Sequence, residues 1–162
     1  MFNKIKPYDY LLNPGYIFFS KEPALICAVL GNAVGVALYD YKNRFGGMNH
    51  FKYPKPKNKS NMTAIYGMPA TYQLIRILLD NGAEKKNIVA QVFGGALNDE
   101  ENHENNFDND NILIPVRILN TQKIKIIKND TGGARGRKVV FNTFTGEAFI
   151  HYANRIRQSD WA

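Results

Sequence analysis

The stretch Ala24-Leu25-Ile26-Cys27-Ala28-Val29-Leu30-Gly31-Asn32-Ala33-Val34-Gly35-Val36-Ala37-Leu38-Tyr39-Asp40 decides the fold. It holds two apolar runs, each too short for a typical helix. Ala24 to Leu30 is bounded by Pro23 and Gly31, and its length and boundaries favour a buried strand. Ala33 to Tyr39, rich in Val, reads the same way. Gly31-Asn32 between them signals a kink or bulge in extended chain. Outward from this pair, Asp40-Tyr41-Lys42-Asn43-Arg44 reads as a turn. Phe45-Gly46-Gly47-Met48-Asn49-His50-Phe51 then reads as the return strand of a hairpin, with glycines where backbone must pass closely. Upstream lie a Pro14-Gly15 turn and the apolar run Tyr16-Ile17-Phe18-Phe19.

Downstream, Lys52 to Asn61 is rich in Pro, Lys and Asn and reads as an exposed loop. Pro69 to Asn81 is the clearest helix: Pro69 suits a first turn, Leu74, Ile75, Ile77 and Leu78 recur at helical spacing, and Asn81-Gly82 is a stop. Asn87 to Phe93 reads as a strand closed by Gly94-Gly95-Ala96. Residues 98–111 read as a flexible acidic loop. Ile112 to Asn120 fits a helix only with Pro115 in its first turn. Lys123 to Lys128 alternates Lys and Ile as a half-buried strand does. Asp130-Thr131-Gly132-Gly133 reads as a loop. Val139 to Asn142 and Glu147 to Tyr152 make a last hairpin across Thr145-Gly146. This order implies an α/β (α+β) fold in one domain spanning residues 1–162, with two main helices packed on a mixed sheet.

Composition narrows the function. The chain has 162 residues, which favours one domain, and a single Cys, which excludes an internal disulfide framework and a Cys-rich zinc site. No window is apolar enough to span a membrane, and the first ten residues lack a signal-peptide core, so a cytoplasmic protein is expected. The net charge is +7, with local clusters at Lys52 to Lys59, Lys123 to Lys128 and Arg135 to Lys138. No aromatic-interleaved RNA-binding signature or helix-turn-helix accompanies them. The charge therefore reads as a solvated Lys-rich surface and no nucleic-acid partner is expected. Neither Gly94-Gly95-Ala96 nor Thr131-Gly132-Gly133-Ala134-Arg135-Gly136 is a Walker loop or a dinucleotide fingerprint, so no cofactor is expected. His50, His103 and His151 form no ligand cluster, and no metal site is expected.

Cys27 and His50 remain. A free Cys in an apolar run usually behaves as a small hydrophobe. His50 follows a glycine pair that permits close approach of backbone or substrate. On neighbouring extended segments the two are candidates for a thiolate–imidazolium pair, which activates sulfur to attack an amide or ester carbonyl. Arg135 and Arg137 could steady a carboxylate, but arginines near a strand start are usually solvated and are read so here.

Several segments in order resemble the CheD family of chemoreceptor glutamine deamidases. Leu30-Gly31-Asn32-Ala33-Val34-Gly35-Val36-Ala37-Leu38-Tyr39-Asp40 resembles its Leu-Gly-Ser-Cys-Val-Ala-Val-x-Leu-Tyr-Asp segment. Gly46-Gly47-Met48-Asn49-His50-Phe51 followed by Pro54 resembles its Gly-Gly-Met-x-His-x-x-x-Pro segment. Tyr66-Gly67 before the helix, Asn81-Gly82-Ala83 and Val92-Phe93-Gly94-Gly95-Ala96 follow in family order. Asp130-Thr131-Gly132-Gly133-Ala134-Arg135-Gly136-Arg137-Lys138-Val139 resembles its Gly-Gly-x-x-Gly-Arg-Lys segment, and the closing Thr145-Gly146-Glu147 also fits. The resemblance implies a deamidase-toxin-like mixed β-sheet sandwich and hydrolysis of receptor glutamine side chains to glutamate. It implies a Cys nucleophile, a His that activates it and a Thr that orients the His. The implied partners are the cytoplasmic helices of methyl-accepting chemotaxis receptors and the CheC phosphatase, with no membrane insertion. Carried over, it gives His50 the catalytic His position and Gly31, Asn32, Asn49, Gly94 and Gly95 substrate-binding positions.

The chain departs from the family where it matters most. The family's Cys falls on Ala33 and its Thr on Cys27. Three readings stay open on sequence: an engineered replacement, a natural pseudoenzyme that keeps its binding partners, or a nucleophile moved to Cys27. A second departure is Phe107-Asp108-Asn109-Asp110-Asn111-Ile112, which keeps only Asn111 of the family's Ile-Gly-x-x-Asn segment.

Overall fold

A computed structural model describes residues 8–97 and 107–153. Its strands are β1 (Tyr8–Leu11), β2 (Tyr16–Ser20), β3 (Ala24–Leu30), β4 (Val34–Asp40), β5 (Phe45–His50), β6 (Ile88–Gly94), β7 (Lys125–Thr131), β8 (Gly136–Asn142) and β9 (Ala148–Ala153). Helix α1 (Gly67–Asp80) precedes β6 and α2 (Phe107–Thr121) follows it. One sheet has five strands in the order β2-β5-β4-β6-β7, the other four in the order β1-β3-β8-β9. Both are mixed, because β1–β3 and β6–β7 pair in parallel and the remaining pairs are antiparallel. The α+β expectation of two helices on mixed sheet holds.

The two opening apolar runs are the two strands expected, but they do not lie in one sheet. At Gly31-Asn32 the chain crosses from the four-stranded to the five-stranded sheet. Burial gives the reason. In β3 buried and half-buried positions alternate, so one face packs inward, whereas β4 is buried at every position. A strand covered on both faces needs an unbroken apolar run. Val34, Val36 and Leu38 face the helices and join Leu74, Leu78 and Leu119 in one core. Ala33, Ala37 and Tyr39 face the other sheet and join Ile26, Ala28, Leu30 and Phe141 in a second core. The layers are thus helices, five-stranded sheet, four-stranded sheet.

Local chemistry explains the element ends. The β4–β5 turn is tied by the buried Asp40 carboxylate, which accepts from the N–H groups of Lys42 and Asn43, each at 2.9 Å. Helix α1 stops at Asn81, whose side-chain amide donates to the Ile77 carbonyl at 2.7 Å, and Gly82 follows at φ +102°.

Four local expectations are corrected. Residues 107–111 of the expected 98–111 loop are helical, while 98–106 and His103 lie outside the described residues. Pro115 sits inside α2, not in its first turn. It costs the helix one N–H donor, but its ring is buried, and Asn111 one turn earlier donates its side-chain amide to the Lys52 carbonyl at 2.7 Å. Tertiary packing outweighs local preference there. The Lys/Ile alternation breaks at Ile127, because the register slips between Ala90/Ile126 and Gln91/Lys128; this bulge leaves Ile127 exposed. Asp130 and Thr131, read as loop, extend β7 by pairing with Phe93 and Gly94.

Strand β5 runs between β2 and β4. A Cβ on Gly47 would stand 2.6 Å from the Phe18 carbonyl oxygen and 3.1 Å from Leu74 Cδ1. Gly47→Ala must push backbone apart, so it should destabilise by about 1–3 kcal/mol. Urea unfolding measures this, and an unchanged midpoint would contradict the packing described.

Candidate functional site

At one end of the five-stranded sheet β4 begins while β5, β6 and β7 finish. That end gathers the crossing Gly31-Asn32-Ala33, His50, and the glycine pairs 94–95 and 132–133. His50 is the last residue of β5. The Val34–Phe51 bridge continues the β4–β5 register, so Gly35 stands opposite His50 and Ala33 lies two residues further along the same face. Met48, sharing that face with His50, belongs to the core between the sheets, as does Ala33. The structure therefore brings His50 and Ala33 to one surface.

His50 is 1 % exposed, and its Nδ1 lies 2.9 Å from the Leu12 carbonyl oxygen. A carbonyl only accepts, so this contact puts the proton on Nδ1 and makes Nε2 the basic nitrogen of the neutral ring. Ala33 is fully buried, and its carbonyl accepts the Gly95 N–H at 2.9 Å. The Gly31 carbonyl likewise accepts the Ala96 N–H at 3.0 Å. Gly94 has φ +104°, and a Cβ there would collide with the Ala33 carbonyl. Asn32 is half-buried at the crossing. Asn49 is fully buried and faces the helix side; its Oδ1 accepts the Val36 N–H at 2.8 Å and ties β5 to β4.

Cys27 is elsewhere. Its neighbours Ile26 and Ala28 point into the core between the sheets, so its own side chain stands on the outer face of the four-stranded sheet. There it lines a cavity with Asp9, Leu11, Val29, Lys138 and His151. Its backbone carbonyl accepts the Leu12 N–H at 2.7 Å. Leu12 thus links Cys27 to His50 through backbone only, and the thiol faces away from the ring.

Arg137 is the residue that sequence reasoning missed. Far from solvated, it is 5 % exposed. Its Nε donates to Asp130 Oδ1 at 3.0 Å, its Nη2 to the Gly132 carbonyl at 2.6 Å and its Nη1 to the Gly94 carbonyl at 3.2 Å. One guanidinium fork ties both glycine loops to the site end, a role for which lysine lacks the geometry. The signal was present in the sequence: Arg137 shares strand parity with the core residues Val139 and Phe141. Tyr152 closes the cluster. Its hydroxyl donates to Asp130, and that hydrogen bond raises its pKa above the ordinary phenol value, with desolvation adding to the effect. Arg135 is exposed, with its guanidinium 4.9 Å from the Tyr152 ring centre. Among the described residues no group of three or more His, Cys, Asp or Glu side chains is placed to hold a metal ion.

Fold and site define an α+β protein in which a buried histidine and a buried alanine share one sheet face beside the crossing between two mixed sheets. A family model described as CheD chemotactic sensory transduction matches residues 52–152. A probable chemoreceptor glutamine deamidase CheD 1 of Anaeromyxobacter dehalogenans (strain 2CP-C) is 36% identical over 140 residues, covering 86% of this chain and 81% of its own. A probable chemoreceptor glutamine deamidase CheD of Sulfurimonas denitrificans is 34% identical over 146 residues, covering 89% and 94%. One from Trichlorobacter lovleyi is 37% identical over 142 residues, covering 87% and 88%. The chain belongs to the CheD family.

Arg137→Ala would leave Asp130 without its charge partner and free both glycine loops. It should destabilise by about 2–4 kcal/mol, and Arg137→Lys should recover only part of that. Denaturant unfolding of the two variants measures this; a fully stable Arg137→Ala protein would contradict the anchoring role.

Proposed function

We propose that this chain is a CheD-family protein that binds chemoreceptor cytoplasmic segments without hydrolysing their glutamines. The observation that carries the reading is that Ala33 lies on the same sheet face as His50. The position that carries the nucleophile in the resembled family holds a fully buried methyl group on the same sheet face as His50. Amide hydrolysis by this route needs a lone pair to attack the amide carbon and a proton for the base to take. A methyl group supplies neither. The sole thiol, Cys27, stands on the outer face of the other sheet, so moving the nucleophile there would part it from the base. A misplacement of even about 1 Å costs about a hundredfold in rate. The pseudoenzyme reading therefore fits the geometry better than the Cys27 reading.

The names of the relatives support a chemoreceptor as the partner class, and the reading places the action in the cytoplasm. No helix among the described residues is long and apolar enough to cross a membrane, which agrees with binding a receptor from outside the bilayer. The CheC phosphatase is the alternative occupant of the same binding role.

The test incubates the wild-type chain with a chemoreceptor cytoplasmic fragment. Mass spectrometry follows glutamine-to-glutamate conversion, and a pull-down follows retention. The expected outcome is retention without conversion, unchanged by His50→Gln. Conversion by the wild-type chain would overturn the reading. Retention of CheC but not of the receptor fragment would replace the partner.

A further inference from the structure

The basic segment after β5 lies at the same end of the sheet as His50 and is accounted for neither by the core nor by the Ala33–His50 pair. Between Lys52 and Tyr66 the sequence carries Lys52, Lys55, Lys57 and Lys59 and no Asp or Glu. Lys55, Lys57 and Lys59 are exposed, and none of the four makes an ion pair among the described residues. Lys55 and Lys57 line a groove of about 350 Å³ with Tyr53, Pro54 and Tyr66. The two tyrosine rings lie 5.8 Å apart at its wall, and Tyr53 is 52% exposed.

The segment is also held in place. Tyr53 bridges Tyr66, the Gly67 N–H donates to the Tyr53 carbonyl at 2.7 Å, and the Met68 N–H donates to the Pro54 carbonyl at 3.0 Å. The Tyr53 and Pro54 wall is therefore fixed to the start of α1, and Lys55 follows it directly in the chain. Cations without an ion pair beside a fixed aromatic wall suit a polypeptide that presents carboxylates with short apolar stems.

The reaction named for the relatives turns a neutral glutamine amide into a glutamate carboxylate. Building on the binding reading above, we propose that this groove selects the deamidated, glutamate-bearing form of a receptor segment over its glutamine form. The chain would then recognise the product of its active relatives. A neutral amide forms none of the lysine–carboxylate pairs. Each exposed pair is worth about twofold in binding, so three give roughly a tenfold preference, which screening by salt reduces.

The experiment measures binding of the full chain to two versions of one chemoreceptor cytoplasmic fragment. One keeps its CheD-sensitive glutamines, and the other has them replaced by glutamate. The expected result is about tenfold tighter binding of the glutamate form at low salt. Lys55→Glu/Lys57→Glu/Lys59→Glu should abolish that preference. Lys42→Glu/Lys85→Glu/Lys86→Glu, with the same charge change at the opposite end of the sheet, should keep it. Equal binding of the two forms overturns this proposal and leaves the binding function standing. So does a preference that survives the first variant, or one lost equally in the second. Tighter capture of duplex DNA or of phosphatidylglycerol vesicles through the same lysines also overturns it. Failure to bind either form overturns both this proposal and the binding function.

Discussion

Burial of β4 on both faces is the constraint on which the rest of the structure depends. Its seven residues are all buried, with one set of side chains in each of two cores. Burying a charged side chain on such a strand is costly unless it is hydrogen-bonded, and its one charged residue, Asp40, stands at the strand end and accepts from Lys42 and Asn43. The strand also forces close passage of its neighbours, which is why β5 carries adjacent glycines where it runs between β2 and β4. The helices, the second sheet and the β4–β5 turn are all positioned by this strand.

The site follows from how the chain enters β4. Crossing between sheets at Gly31-Asn32 exposes backbone polar groups that must find partners. Gly95 and Ala96 supply them through their N–H groups, and Gly94 can approach only because it has no side chain. Arg137 then ties that glycine loop to the one at 132–133. The backbone around Ala33, the position that the family resemblance aligns with a nucleophile, is therefore held by these bonds. On the binding function proposed above, a side-chain change at Ala33 would remove chemistry without disturbing these backbone bonds. The basic groove beyond β5 is anchored by the same means, backbone bonds to the start of α1.

Most strands and both helices were legible because period and punctuation are local. Ala24 to Tyr39, the Asp40 turn, the α1 stop at Asn81-Gly82 and the final hairpin all stand where the residues place them. The allocation of β3 and β4 to different sheets was not legible, since a glycine kink looks the same whether the chain bends within a sheet or leaves it. Pro115 inside α2 and the bulge at Ile127 escaped for the same reason: tertiary packing decides them, and local pattern argues the other way. At the site, His50 and the glycines could be named from a family pattern, but the orientation of Cys27 depends on strand parity against a core that only the assembled sheets define. Arg137 was discounted because most arginines at strand starts are solvated, although its parity with Val139 and Phe141 pointed inward.

The proposed binding function requires that a chain with Ala33 on the His50 face does not hydrolyse receptor glutamines. Ammonia release from a chemoreceptor cytoplasmic fragment tests it most directly, with an active CheD relative as the positive control. The account predicts no release by this chain above the fragment alone, under conditions where the relative turns over. Release that disappears on Cys27→Ser would contradict it, because the thiol would then have to reach the imidazole from the far face of the second sheet.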